Sequence, residues 1–170
     1  MSSWSIAEEE MDHEAVVKLF IANHDKFGLP YPFGSLVRTI NYCLYYKTLL
    51  LCRDDDGNAA GMALFLLGTE EDNYKDLSKI EIFSVFLLPD YRCGRMFMQG
   101  LQEVARLLAL YGTVDTIAFY VQPGHVTAKL FKKFARIEQT VERNCGLLDL
   151  YTVQSPDLQR YVQQYGSVTK

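Results

Sequence analysis

Apolar and polar positions recur along this chain with two different periods, and the points where the period changes outline its elements. Trp4 to Glu8 alternates with a period of two, as a short first strand does. From Asp12 to His24 the apolar residues Ala15, Val16, Leu19 and Phe20 recur at helical spacing, and Asp12 stands where an N-cap is expected. The stretch Gly28-Leu29-Pro30-Tyr31-Pro32-Phe33-Gly34 breaks the pattern as an aromatic loop, after which Ser35 is expected to cap a second helix reaching about Tyr46. Two β-type runs follow, Thr48 to Arg53 and Ala59 to Leu67. The Asp-Gly and Gly-Asn steps between them supply the positive φ angles of an antiparallel hairpin.

A polar connection from Thr69 to Leu77 leads into the longest strand signal, Lys79 to Leu88, and then into a helix from Gly94 to Tyr111 closed by Gly112. Asp115 to Gln122 reads as a further strand. Pro123-Gly124-His125 is expected to open a helix over Val126 to Phe134, followed by strands at Glu138 to Arg143 and Cys145 to Val153 and a terminal helix at about Pro156 to Gln164. This order predicts an α/β chain with a mixed sheet, antiparallel at its beginning and with a parallel βαβ unit at its centre. No repeat, low-complexity segment or linker divides the 170 residues, which read as one domain.

Composition removes several functions from consideration. A net charge of -4 lacks the basic face of a nucleic-acid binder. The longest apolar runs are far too short to cross a bilayer, and Met1-Ser2-Ser3-Trp4 opens no signal peptide, so no membrane partner is expected. The four cysteines are scattered without a CxxC pair and read as reduced thiols of a cytoplasmic protein, with neither a metal site nor a disulfide framework expected.

Candidate chemistry concentrates between Lys79 and Leu110. An apolar strand ending in Val85, Phe86, Leu87 and Leu88 passes through a turn into a helix whose first N–H groups have no intrahelical partner. That geometry cradles a phosphate or pyrophosphate, and Arg92, Cys93, Gly94, Arg95, Met96 and Phe97 would form the cradle. Two arginines at a helix N-terminus oppose its dipole, a conflict that a bound anion relieves. Glu81, placed among Ile80, Ile82 and Phe83, is either a partly desolvated general base or a strand-mouth residue paired with Lys79 or a neighbouring basic residue. His125 is either an acid or base near neutral pH or a simple helix cap or surface residue.

Leu88-Pro89-Asp90-Tyr91-Arg92 resembles the hydrophobic-x-Pro-x-Tyr-Arg approach to the pyrophosphate loop of the GNAT superfamily of acyl-CoA-dependent acetyltransferases. Ala128 to Phe134 is similar to that family's helix beside the thiol end of the cofactor, and Glu81 falls where histone-type members carry a general base. The resemblance covers Trp4 to Val153 in element order. It implies a GNAT-like, mostly antiparallel twisted sheet of six to seven strands with flanking helices, acetyl-CoA as co-substrate, and a small-molecule or peptide amine as acceptor. It implies Glu81 and His125 as catalytic residues, Val85 to Leu88 and Arg92 to Phe97 along the cofactor, and Phe131 at the cofactor's thiol end. It also implies an acceptor side built from Tyr31, Phe33, Tyr42, Tyr45 and Tyr46, most of them expected to pack as core, and pairing of copies through the late strands. Departures from the pattern are specific. Cys93, Arg95 and Phe97 occupy positions where the family carries glycine, and Phe131 replaces a tyrosine that protonates the leaving thiolate. They leave a second expectation open, a GNAT-like binding or assembly protein without catalysis, of phage type and virion-associated.

Overall fold

The structure is a computed structural model that describes residues 3–166. Its strands form a seven-stranded sheet in the order β1-β2-β3-β4-β5-β7-β6. They are β1 (Ser3–Ile6), β2 (Leu49–Arg53), β3 (Ala59–Leu67), β4 (Lys79–Leu87), β5 (Thr116–Val121), β6 (Arg136–Arg143) and β7 (Gly146–Gln154). The helices are α1 (Glu10–Asn23), α2 (Phe33–Tyr45), α3 (Gly94–Tyr111), the short α4 (Ala128–Phe131) and α5 (Ser155–Gly166). The β1–β2, β2–β3, β5–β7 and β6–β7 pairs are antiparallel, and β4–β5 is parallel, bridged by α3 as a βαβ crossover requires. The predicted mixed sheet, hairpin, central crossover and terminal helix are all present. Among the described residues, no helix is long and apolar enough to cross a membrane.

The chain divides into two compact units, one comprising residues up to Phe65 together with Phe83–Glu103, the other Leu66–Ile82 with the chain from Val104 onward. In the first, Leu49, Leu50, Leu51 and Cys52 of β2 are fully buried, which explains why that strand reads as a continuous apolar run instead of an alternating one. Phe27 stacks on Phe86 of β4 with ring centroids 4.9 Å apart. The Trp4 indole N–H donates to the Met96 carbonyl over 2.9 Å, tying β1 to the first turn of α3. In the second unit, Phe119 stacks on Tyr151 at 5.4 Å, Ile82, Phe131 and Phe134 close around them, and Gln159 of α5 donates to the Ala105 carbonyl over 2.6 Å.

Three local expectations are corrected. Asp12 is not the N-cap of α1. The cap is Glu9, and Asp12 sits inside the first turn, where its carboxylate accepts the Glu8 and Glu9 N–H groups and pairs with Arg53 over 2.7 Å. Both positions attract acidic residues because both face unpaired N–H groups, so the sequence signature is shared. Helix α2 starts at Phe33 with Pro32 as its cap, two residues before Ser35, since proline already holds the backbone angle that entry needs. The helix expected over Val126 to Phe134 is confined to Ala128–Phe131. Beyond it, Lys133 and Phe134 donate to carbonyls only three residues back, the tighter pattern of a 3-10 turn.

Gly61 sets how closely β3 and the end of β4 approach. A Cβ there would lie 2.5 Å from the Phe86 carbonyl oxygen and 2.6 Å from a Leu87 methyl carbon. Gly61→Ala is therefore expected to lower stability by about 1–3 kcal/mol through overpacking, read as a fall in the urea midpoint at constant slope. An unmoved midpoint would mean that the β3–β4 spacing yields freely.

Candidate active site

Two clusters carry the candidate chemistry, each within one unit. The first is the turn between β4 and α3. Pro89–Tyr91 forms a single 3-10 turn, begun by a proline whose missing N–H costs nothing at that position. The Tyr91 hydroxyl donates to Asp54 over 2.8 Å and so ties the turn to the β2–β3 hairpin. This bond holds the Asp54 carboxyl below its ordinary range and pushes the Tyr91 phenol up. Arg92 donates from Nε to the Leu87 carbonyl over 2.9 Å and lies above the Phe86 ring, 5.9 Å from its centroid. The Nε donor is used there and the ring supports the plane of the guanidinium.

Arg92, Cys93, Gly94 and Arg95 are all exposed, Phe97 is half-buried and Met96 is buried. The N–H of Phe97 already donates to the Cys93 carbonyl, so Gly94, Arg95 and Met96 present the opening amides of the helix. Gly94 has no positive φ, and a Cβ placed on it meets nothing within 4 Å. Its position therefore does not demand glycine. At the end of β4, Val85 is exposed at 43 %, whereas Phe86 and Leu87 are buried, and the Leu88 N–H donates to Ala60 over 2.9 Å.

The second cluster surrounds Glu81, which is 3 % exposed and lies opposite Ala118 in the parallel β4–β5 register. Alternation puts Ala118 and Tyr120 on the Glu81 face and Ile82 and Phe119 on the other. The Tyr74 hydroxyl favours the ionised form of the Glu81 carboxyl. Around this pair, Arg143 at the end of β6 contacts Glu71 and Glu70, the latter at 3.5 Å, and donates to the Tyr120 oxygen over 3.3 Å. Tyr120 in turn donates to Glu71 over 2.6 Å, and Gln139 reaches the other oxygen of Glu71 at 3.4 Å.

Burial raises the Glu81 carboxyl to about 7, with Glu70 and Glu71 pushing the same way and Arg143 and the Tyr74 hydroxyl opposing them. Burial, followed by the hydrogen bond to Glu71, pushes the Tyr120 phenol up. Lys79, the alternative partner for Glu81, turns instead to Asp76 at 3.6 Å.

The His125 Nδ1 lies 2.7 Å from the Thr127 hydroxyl and accepts the Thr127 N–H over 3.3 Å, so the exposed ring caps its own turn. Phe131 sits edge-on to Phe119 at 5.0 Å, on the face of β5 opposite Tyr120, inside the apolar cluster. Of the aromatic group expected to be mostly core, Tyr42, Tyr45, Tyr46 and Phe33 are 41 % to 79 % exposed. Tyr31 alone stacks closely on β4, 4.5 Å from Phe83. Sequence reasoning did not find Glu70, Glu71, Tyr74, Tyr120 or Arg143. The nearest signal was the acidic pair Glu70-Glu71 at the entrance to the connection before β4.

No protein-family model matches the sequence, and no curated protein matches it. Solved structures do match, at the level of fold. AAC(6')-Ib in complex with paromomycin and acetyl-CoA superimposes with a TM-score of 0.68 at 14% identity, covering 94% of this chain and 96% of that one. An acetyltransferase of the GNAT family from Listeria monocytogenes gives 0.64 at 12% identity, covering 90% and 94%. The fold is GNAT-like. The ribosomal-protein-S18-alanine N-acetyltransferase of Escherichia coli shares this fold with a TM-score of 0.63 at 13% identity, covering 91% of this chain and 94% of that one.

Within this GNAT-like frame the buried carboxyl makes a definite prediction about stability. Glu81 has a folded pKa of about 7 against an ordinary value of 4.5. Below 4.5 both states carry the proton and burial adds no electrostatic penalty. Between 4.5 and 7 the unfolded chain ionises first, and stability falls. Glu81→Gln is therefore expected to match the parent at pH 4 and to exceed it by about 3 kcal/mol above pH 7, measured by denaturant titration across that range. A variant gaining nothing at pH 8 would show that Glu81 ionises in the fold without penalty.

Proposed function

We propose that this chain is an acetyl-CoA-dependent N-acetyltransferase acting on a small-molecule or peptide amine, the whole chain serving as one catalytic domain in the cytoplasm. The observation that carries the reading is Glu81, a carboxyl held near 7 inside β4 of a GNAT-like sheet. A group of that proton affinity accepts a proton at neutral pH and still releases it to water. An amine acceptor arrives as an ammonium ion and must lose a proton before its nitrogen can attack. Glu81 would take that proton.

The residues of the turn suit the anionic end of acetyl-CoA. Arg92 is held by Leu87 and Phe86, Arg95 is exposed, and α3 opens at Gly94 beside them. Met96 and Phe97 would back this cradle, and the backbone from Val85 to Leu88 would flank the pantetheine. Bound acetyl-CoA supplies the thioester carbon that the amine attacks. A backbone N–H near Leu87 would face the oxygen on which charge develops, and water or His125 would return a proton to the departing thiolate.

One set of observations favours a second reading, a GNAT-like binding or assembly protein without turnover. Cys93, Arg95 and Phe97 add side chains where the family's loop is glycine, and Phe131 has no hydroxyl and is packed against Phe119. Acetyl-CoA itself separates the two. At about a hundred times its dissociation constant it should add nearly 3 kcal/mol to stability, and the gain should vanish in an Arg92→Ala, Arg95→Ala double variant. No gain in the parent would favour the binding or assembly protein. Acetyl transfer to a panel of amines should rise with pH through about 7 as Glu81 ionises, and Glu81→Gln should lower turnover by about 10²- to 10⁴-fold. Equal rates in Glu81→Gln would remove Glu81 from the reaction.

A further inference from the structure

The connection that carries Tyr74 to Glu81 is held in an unusual backbone conformation. Asn73 and Tyr74 are consecutive non-glycine residues with positive φ, 55° and 59°. For an aromatic residue this region is disfavoured, and neighbours must impose it. Several do. The Tyr74 N–H donates to the Thr69 carbonyl over 2.9 Å and the Asn73 N–H to Glu70 over 3.1 Å. Gly68, at φ +80°, leaves the space that Tyr74 fills, since a Cβ on Gly68 would lie 2.6 Å from the Tyr74 Cα. Farther on, Asp72 accepts the Asp76 N–H, and Asp76 accepts both the N–H and the hydroxyl of Ser78. These bonds shape the connection from inside. Its outside anchor is Arg143, sixty-two residues beyond Glu81, which engages Glu70, Glu71 and Tyr120 together.

We propose that Arg143 is the positioning residue of the Glu81 site, gripping Glu70 and Glu71 with one guanidinium and so holding the strained connection where Tyr74 reaches the Glu81 carboxylate. The inference rests on Glu81 being the proton acceptor of the proposed reaction. Arg143 touches no reacting atom. It acts through the tyrosine it positions and through its charge, the positive one in a group that otherwise comprises Glu70, Glu71, Tyr74 and Tyr120. Lys79, two residues before Glu81, pairs with Asp76. The arrangement gives the site a built-in pH setting. Arg143 and the Tyr74 hydroxyl favour ionised Glu81, the two glutamates favour the protonated acid, and the connection brings both influences to the same place.

The test follows the Glu81 carboxyl carbon by NMR through a pH titration of the full chain without acetyl-CoA, with Glu81→Gln identifying the signal. Arg143→Gln should move the midpoint up by about 1 pH unit or more and erase the cross-peak between the Tyr74 ring and Glu81. Arg143→Lys, which keeps the charge and loses the fork, should restore part of the midpoint without the cross-peak. Tyr74→Phe should also raise the midpoint, and Glu70→Gln should lower it. Opposite signs from two neighbours of one connection are not what general loosening produces. If Arg143→Gln fails to fold, the Tyr74→Phe and Glu70→Gln pair decides the matter. A folded Arg143→Gln with both the midpoint and the cross-peak intact, or a Glu70→Gln that raises the midpoint, overturns the proposal. Since no readout involves acetyl-CoA, the shifts appearing in a chain that transfers no acetyl group would sink the enzymatic reading alone. An active transferase whose Glu81 ignores Arg143 would sink this inference alone.

Discussion

A carboxylate inside a β-sheet makes demands on everything packed around it. Glu81 is 3 % exposed, in a strand whose neighbouring residue Ile80 is buried on the opposite face, so water is replaced by protein on both sides. Leaving an ionised group there without partners would cost several kcal/mol, and the fold answers in two ways. It raises the group's proton affinity so that near neutrality the charge is partly suppressed. It also brings a hydroxyl and a guanidinium close enough to share the charge when it forms. The positive φ of Tyr74, the open space at Gly68, the two glutamates before it and the position of Arg143 at the end of β6 are all parts of that second answer.

The turn after β4 is organised on a different principle. Arg92 to Arg95 are exposed there, and Asp90 and Asp54 set negative charge beside the two arginines. Asp54 holds Tyr91, Leu87 and Phe86 hold Arg92, and α3 opens beside two arginines. A guanidinium fixed by its own Nε and a ring loses less freedom on binding an anion than one on a mobile stem. The side chains at 93, 95 and 97 alter how close a phosphate can come without removing any N–H group.

Much of the fold was legible because its elements obey simple periods. The hairpin, β4, α3 and the crossover were set out by apolar alternation, an Asp-Gly step and a helical stripe, and α3 runs between the very residues expected. The misplacements are all at helix starts, where Asp12 and Ser35 carry the right chemistry for a cap one turn or less from the true one, and at α4, where i to i−3 bonds replaced helix. The site was half legible. Glu81 and the arginines stand inside regular elements whose register fixes them. Glu70, Glu71 and Tyr74 lie on an irregular connection and Arg143 on a distant strand, and no local period relates position 74 or 143 to position 81. Only the parallel pairing of β4 with β5 and the return of β6 bring them together.

That the supports of the buried carboxyl are the least legible part bears on what they are for. Polar residues chosen for folding alone would rarely include a buried ionisable group that weakens the protein by about 3 kcal/mol at neutral pH. Nor would they include an aromatic residue at positive φ, which adds about 1–3 kcal/mol more. A glutamine at 81 would satisfy the same tyrosine without either charge or pH sensitivity, and a scaffold protein would lose nothing by it. An acid whose proton affinity lies at neutrality is useful where a proton must be taken up and given back. Side chains on an exposed turn cost the fold little, whereas a buried carboxyl and a tyrosine at positive φ are set against its stability.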